Sequence, residues 1–182
     1  MHPSEVEAVL TTMKIAVDSR EQQTEQSKHR YAQFGVPHYR QKLNFGDYTA
    51  TFILPDGTEF SLENKVAIER KMNLDEIINC FLYENERFER EFLRARDADA
   101  KLYIMIEGAS WKQAYAGQYR SRIHPNALVA FMLAWLARYN CQVIMVDSTL
   151  SGRMIHDILY REAKEILSGM VDDERTGYMD KA

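Results

Sequence analysis

The sequence predicts an α/β fold, a three-layer sandwich with helices on both faces of a mixed sheet. Two observations carry this. Buried-looking apolar runs alternate with amphipathic helical stretches along the chain. Short strands gather near the front around a Pro55-Asp56-Gly57 turn, which adds antiparallel pairing. Several apolar runs also stop abruptly at an acid, as in "IAVD" at Asp18, "KLYIMIE" at Glu107 and "CQVIMVD" at Asp147. With 182 residues, this is one domain.

Taken in order, residues 1–12 form a short, mildly helical and ill-packed N-terminal extension, and the main domain spans 13–168. Ile15, Ala16 and Val17 make a strand ending at Asp18, and a polar helix follows over about 21–34, punctuated by Gly35 and Pro37. "HYRQKLNF", "YTATFIL" and "TEFSL" give a strand meander turning at Gly46 and at Pro55–Gly57, and "KVAIER" returns to the core. Asn73 is a good N-cap, with Asp75 and Glu76 placed to complement the helix dipole. One helix is predicted from there to about Arg96, with Ile77, Ile78, Phe81, Leu82, Phe88 and Phe92 largely on one face. The strand 101–107 leads to a tyrosine-rich segment, a helix opening at Pro125, the strand 141–147 and a last helix over about 152–167. Residues 169–182 read as a flexible tail.

Composition removes several classes of function. The formal net charge is −4, so any grip on nucleic acid must come from local patches. Cys80 and Cys141 form neither a disulfide framework nor a zinc spacing and read as core thiols. The five histidines show no ligand spacing. The N-terminus lacks a secretory pattern, and the apolar run 127–137 is too short to cross a bilayer, which predicts a soluble, cytoplasmic protein.

The chemistry concentrates in "AIERKMNLDEI", residues 67–77. Side chains alternate along a strand, so Glu69 and Lys71 share a face while Arg70 points the other way. Asp47 stands at the Gly46 turn, between strands that neighbour this one, and Asp18 ends the first strand. Carboxylate oxygens suit Mg²⁺ and leave waters on it. A lysine on the same face can orient an attacking water or hold a phosphate. Such a set fits metal-assisted phosphodiester hydrolysis. Glu107 and Asp147 read more simply as solvated strand ends, and Ser19 has no histidine to activate it.

"VDSRE" (17–21), "GDY" (46–48) and "IERKMNLD" (68–75) occur in that order, followed by "RFERE", "YIMIEG", "IHPNAL" and "REAKE". This series resembles the nuclease domain of the XPF-type structure-selective endonucleases, the excision-repair cross-complementation group four family, over nearly the whole chain. The resemblance implies a restriction-endonuclease-like core and Mg²⁺-dependent DNA cleavage, with Mn²⁺ as a substitute. It implies Asp47 and Glu69 as metal ligands, supported or joined by Asp18, and Lys71 as the catalytic lysine. Arg20, Arg70 and Asp75 would position phosphate and brace the site. No helix-hairpin-helix segment or P-loop is seen in this sequence, so it looks like a nuclease domain standing alone, which weakens the case for branched-DNA selectivity.

Two acid-free stretches, 26–46 and 108–146, each contain four Lys or Arg. Lys42 in the first, and Tyr119, Arg120 and Arg122 in the second, are candidate DNA contacts through phosphate pairing and stacking. The helix after Pro125 is apolar at every position from 127 to 137, beyond what one sheet can cover. Together with the resemblance this implies a homodimer, or a heterodimer with a related or accessory subunit. The alternative to an enzyme is a catalytically silent DNA-binding or scaffolding subunit. The intact acids and lysine favour the enzyme.

Overall fold

The computed structural model describes residues 1–179. Seven strands build one mixed sheet: β1 (Lys14–Asp18), β2 (His38–Gln41), β3 (Tyr48–Ile53), β4 (Glu59–Ser61), β5 (Val66–Lys71), β6 (Lys101–Glu107) and β7 (Cys141–Val146). The order is β2-β1-β3-β5-β6-β7, with β4 added alongside β3. β5, β6 and β7 run parallel, β3 is antiparallel to β1 and β5, and β2 is parallel to β1. The second edge of β3 is therefore shared, by β5 at Tyr48 and by β4 at 51–53.

The helices are α1 (Pro3–Leu10), α2 (Glu25–Ala32), α3 (Leu74–Leu82), α4 (Asn85–Asp97), α5 (Trp111–Ala116), α6 (Pro125–Arg138) and α7 (Ser151–Met179). Strand alternation sorts the core into two halves. Ile15, Val17, Phe52, Ile68 and Met105 face the layer of α1, α2 and α7. Ala67, Leu102, Ile104 and Ile106 face α3, α4, α5 and α6. The predicted three-layer sandwich is the fold.

Several elements differ from the sequence reading. Residues 1–12 are well packed: Val6, Val9 and Leu10 enter the core, and Glu7 pairs with Lys164 of α7. The front is not a simple meander, because α2 carries the chain back so that β2 lies parallel to β1, leaving β3–β4 as the hairpin. The single helix predicted from Asn73 to Arg96 is two, separated at Tyr83 and Glu84. Glu84 and Asn85 fall where the apolar stripe needs hydrophobic residues. After the break α4 turns Phe88 and Phe92 onto Trp135, at ring distances of 5.0 and 5.1 Å. The helical backbone of α7 continues past Leu167; the flexible tail predicted for 169–182 falls partly outside the described residues. Cys80 and Cys141 are buried thiols, as predicted, and burial pushes both up to about 11. Among the described residues no helix is long and apolar enough to cross a membrane.

Candidate active site

β1 and β5 end at the same edge of the sheet, and a cleft of about 450 Å³ opens there. Arg20, Glu21, Asp47, Glu69, Lys71, Arg87 and Glu91 all line it. The loop before α2 contributes because Thr24 caps that helix, its hydroxyl accepting from the Ser27 N–H at 3.1 Å. The helix therefore starts later than predicted, and Arg20 and Glu21 stay in irregular chain over the cleft.

Asp47 and Glu69 are brought together by the backbone. Tyr48 pairs with Ile68, and the Asp47 N–H donates to the Ile68 carbonyl at 2.8 Å. Gly46 makes this approach possible. It has φ +70°, and a Cβ there would lie 2.8 Å from the Ala67 Cβ and 3.2 Å from the Ile68 carbonyl oxygen. Asp47 Oδ2 then accepts from the Arg70 N–H at 2.8 Å; among the described residues no hydrogen bond takes Oδ1. Burial, then the nearby Glu69 and Glu21 carboxylates, push the Asp47 carboxyl well above its usual range.

Lys71 and Glu69 share a face as the alternation requires, with Nζ 2.6 Å from Glu69 Oε1 and 4.8 Å from the Phe88 ring centre. Burial disfavours the ammonium, but Glu69, Cys80 and Asp47 together outweigh it and hold the Lys71 pKa up. Glu91, on α4, closes this side. Burial and the neighbouring Glu69 push its carboxyl up to about 7.

Arg70 points to the opposite face. It donates to Glu107 Oε2 at 2.5 Å, while Arg30 Nε donates to Glu107 Oε1 at 2.9 Å. Glu107 is therefore no solvated strand end: it is buried and joins two guanidiniums, which hold its carboxyl below the usual range against the effect of burial. Arg30 also reaches the Tyr48 hydroxyl at 3.1 Å, and that hydroxyl donates to Glu21 at 3.2 Å. Asp147 caps its own turn, accepting from the Thr149 N–H and hydroxyl, as its strand-end position suggests.

Asp18 is held apart from the cleft wall. It is buried, and its oxygens take the Arg20 N–H (2.6 Å), Nε (2.9 Å) and Nη2 (2.6 Å) and the Leu43 N–H (3.1 Å). Burial opposes its charge, yet these donors keep its pKa lowered. Asp75 lies at the start of α3 and accepts from the backbone of the loop between α5 and α6, which carries Arg120 and Arg122. Arg120 and Arg122 are exposed. Tyr119 packs partly against the core and donates to the Ile123 carbonyl at 3.0 Å, shaping the loop. Lys42 is exposed next to Leu43 and does not line the cleft.

The domain model described as the ERCC4 domain matches residues 17–158, most of the chain. The chain belongs to the ERCC4 domain family. Among solved structures, XPF from Aeropyrum pernix aligns with a TM-score of 0.58 at 20% identity, covering 82% of this chain and 61% of that one. The chain thus spans less than two thirds of the XPF chain it matches, and shares its restriction-endonuclease-like fold. None of the curated proteins matches. The ERCC4 match runs from Val17 to Ile158 and takes in Asp18, Asp47, Glu69, Lys71 and Asp75. It also includes four cleft or bracing residues to which the sequence reading gave no role. Glu21, Arg87 and Glu91 lie within the ERCC4-like stretches "VDSRE" and "RFERE", so a signal was present. Arg30 carried none, because its burial depends on α2 packing over β3 and β6.

The donor set suits a hard divalent cation. Asp47 and Glu69 repel each other across adjacent strands, and Asp47 is held by one oxygen only. Among the described residues no three His, Cys, Asp or Glu side chains are gathered as a metal cage. Two carboxylates completed by water are what Mg²⁺ accepts.

Proposed function

We propose that the chain is a divalent-metal-dependent endodeoxyribonuclease that hydrolyses phosphodiester bonds in branched, flap or otherwise distorted DNA. The observation that carries this reading is the convergence of Asp47, Glu69 and Lys71 on one cleft at the sheet edge. Asp47 and Glu69 would hold Mg²⁺, or Mn²⁺ in its place, and Asp18 would act by fixing Arg20. A bound cation would lower the pKa of a water and offset charge on the reacting phosphate.

The chain's own residues supply the rest. Lys71, kept charged by Glu69, presents an ammonium to a phosphate oxygen or to the attacking water. Arg20, its guanidinium oriented by Asp18, and Arg87, which also lines the cleft, would contact phosphates of the strand. Arg70 and Glu107 lock the backbone that fixes Asp47. Arg120 and Arg122, on the loop tied to Asp75, add phosphate contacts.

We further propose pairing with a second copy or a related subunit through α6. Phe131 and Leu133 remain 47% and 45% exposed on a helix apolar throughout its middle, a patch monomers avoid. The decisive experiment incubates the protein with flap, fork, nicked, duplex and single-stranded DNAs in Mg²⁺, Mn²⁺ or chelator. Metal-dependent nicking of the distorted substrates is the expected result. Absence of cleavage from every DNA, in both metals, would sink the enzyme reading.

A further inference from the structure

Lys71 stands against an aromatic ring as well as a carboxylate. Its Nζ lies over Phe88, 4.8 Å from the ring centre, and Phe88 itself is buried. Phe88 does not line the catalytic cleft. It lines a separate cavity of about 40 Å³, which Glu69, Lys71, Cys80 and Glu91 also line. Two further rings hold it in place. Phe92, one turn on along α4, and Trp135 of α6 both meet it edge to face, each at 5.0 Å, with interplanar angles of 79° and 61°. Trp135 is in turn stacked on Phe81 at 4.2 Å. Edge-to-face packing against two neighbours fixes the plane of the ring, so Phe88 offers the ammonium a rigid surface.

The chemistry of that surface matters. An ammonium has three N–H bonds and a flexible four-carbon stem. Among the described residues Glu69 is its one hydrogen-bond acceptor, at 2.6 Å. The π face is a second partner, because the ring quadrupole attracts a cation placed over it. The remaining N–H is left for the cleft, which Lys71 also lines. A carboxylate in place of the ring would neutralise the ammonium. The ring carries no charge, so it steadies the head group and leaves its positive charge to act on a phosphate. Lys71 comes from β5 and Phe88 from α4, so the place of the head group depends on both elements and not on the strand alone.

We propose that Phe88 is a positioning residue for the reaction, its π face holding the Lys71 ammonium where it meets the reacting phosphate or the attacking water. The proposal rests on the endonuclease reading and deepens it. Phe88 acts through Lys71 and touches no substrate, so its loss is felt in the chemical step and not in the grip on DNA.

The test replaces Phe88 with mono-, di- and trifluorinated phenylalanine, which keep the shape of the ring and weaken its negative face stepwise. Single-turnover nicking at saturating DNA should fall roughly twofold with each fluorine, to on the order of tenfold for three. DNA binding with Ca²⁺ in place of Mg²⁺ should stay as in the wild type. The same series at Phe81, stacked on Trp135 in the same cluster, should leave nicking unchanged, since Phe88 is the one ring under Lys71 among the described residues. A second readout needs no activity. In the metal-free protein the Lys71 ε-methylene protons, assigned by Lys71→Arg, should be shielded by the ring in NMR spectra and lose that shielding in Phe88→Leu. Unshielded protons would overturn the proposal, as would a flat fluorine response at position 88 in an active enzyme or an equal loss in both series. A wild-type protein that shows the shielding but cuts no DNA would instead bring down the endonuclease reading on which the proposal stands.

Discussion

Asp75 holds the backbone of Arg120: its Oδ1 accepts from the Arg120 N–H at 2.8 Å and from the Ser121 N–H at 3.3 Å. A residue four positions after Lys71 thus fixes the loop that carries the two exposed arginines. Asp75→Ala should cost about 1–3 kcal/mol of stability, the usual penalty for orphaning hydrogen bonds to a charged group. It should also weaken DNA binding as much as Arg120→Ala does. Urea unfolding and fluorescence anisotropy measure the two effects. Unchanged DNA affinity in a folded Asp75→Ala protein would separate the loop from DNA binding.

Arg120 and Arg122 contribute counterion release if they touch phosphates. Replacing both with Ala should lower the slope of log K against log salt by about 2. A titration series in NaCl reads this directly, and an unchanged slope would place both arginines away from the DNA.

Asp47 sets function against stability. Burial and its acidic neighbours make its carboxylate unfavourable in the metal-free protein, so Asp47→Asn should gain thermal stability over the wild type progressively as pH rises, while removing nicking. Mg²⁺ should stabilise the wild type through binding to the folded state and leave Asp47→Asn unmoved. A variant less stable than wild type without metal would contradict the repulsion on which this rests.

Glu91 gives a pH dependence of defined sign. Its carboxyl keeps its proton to about 7 in the folded protein against an ordinary 4.5. Between those values the folded state binds more protons than the unfolded one, so stability falls as pH rises through this window and levels off above it. The fall should be of order 1–3 kcal/mol. Urea midpoints from pH 4.5 to 8 should show it, and Glu91→Gln should flatten the curve. A Glu91→Gln protein with the wild-type slope would assign the effect elsewhere.

If α6 is an interface, light scattering after size exclusion should report about twice the 21.2 kDa chain mass. Leu133→Glu, at a half-exposed position, should return it to the monomer mass with its circular dichroism unchanged. A wild-type monomer at tens of micromolar would exclude the homodimer.

The parts of this molecule that were legible in the sequence are those set by short-range rules. Alternation places Glu69 and Lys71 together and Arg70 opposite, Asn73 caps α3, and Pro125 opens α6 where expected. The approach of Asp47 to Glu69 was readable because the Gly46 turn and the alternating strand over 66–71 are local signals, whereas a metal-binding role for the two came only from the family resemblance. What remained hidden depends on distant partners. Glu107 looks like a solvated strand end until α2 brings Arg30 over it. The parallel placement of β2 depends on the path of α2, and the packing of residues 1–12 depends on α7. The break at Tyr83 was half visible, since polar residues interrupt the stripe there, but helix propensity across the gap masks it.

The packing of α7 bears on how the protein is made. The sheet face bearing Ile15, Val17 and Phe52 is covered by Ile155, Leu159, Ala163 and Leu167, which a ribosome adds after all seven strands. Until that helix leaves the exit tunnel, a nascent chain holds an apolar sheet surface without its cover. Folding of this half of the core must therefore wait for the end of the helix, and chains stalled before about residue 150 should engage chaperones or aggregate. Slow codons late in the message would lengthen that exposure.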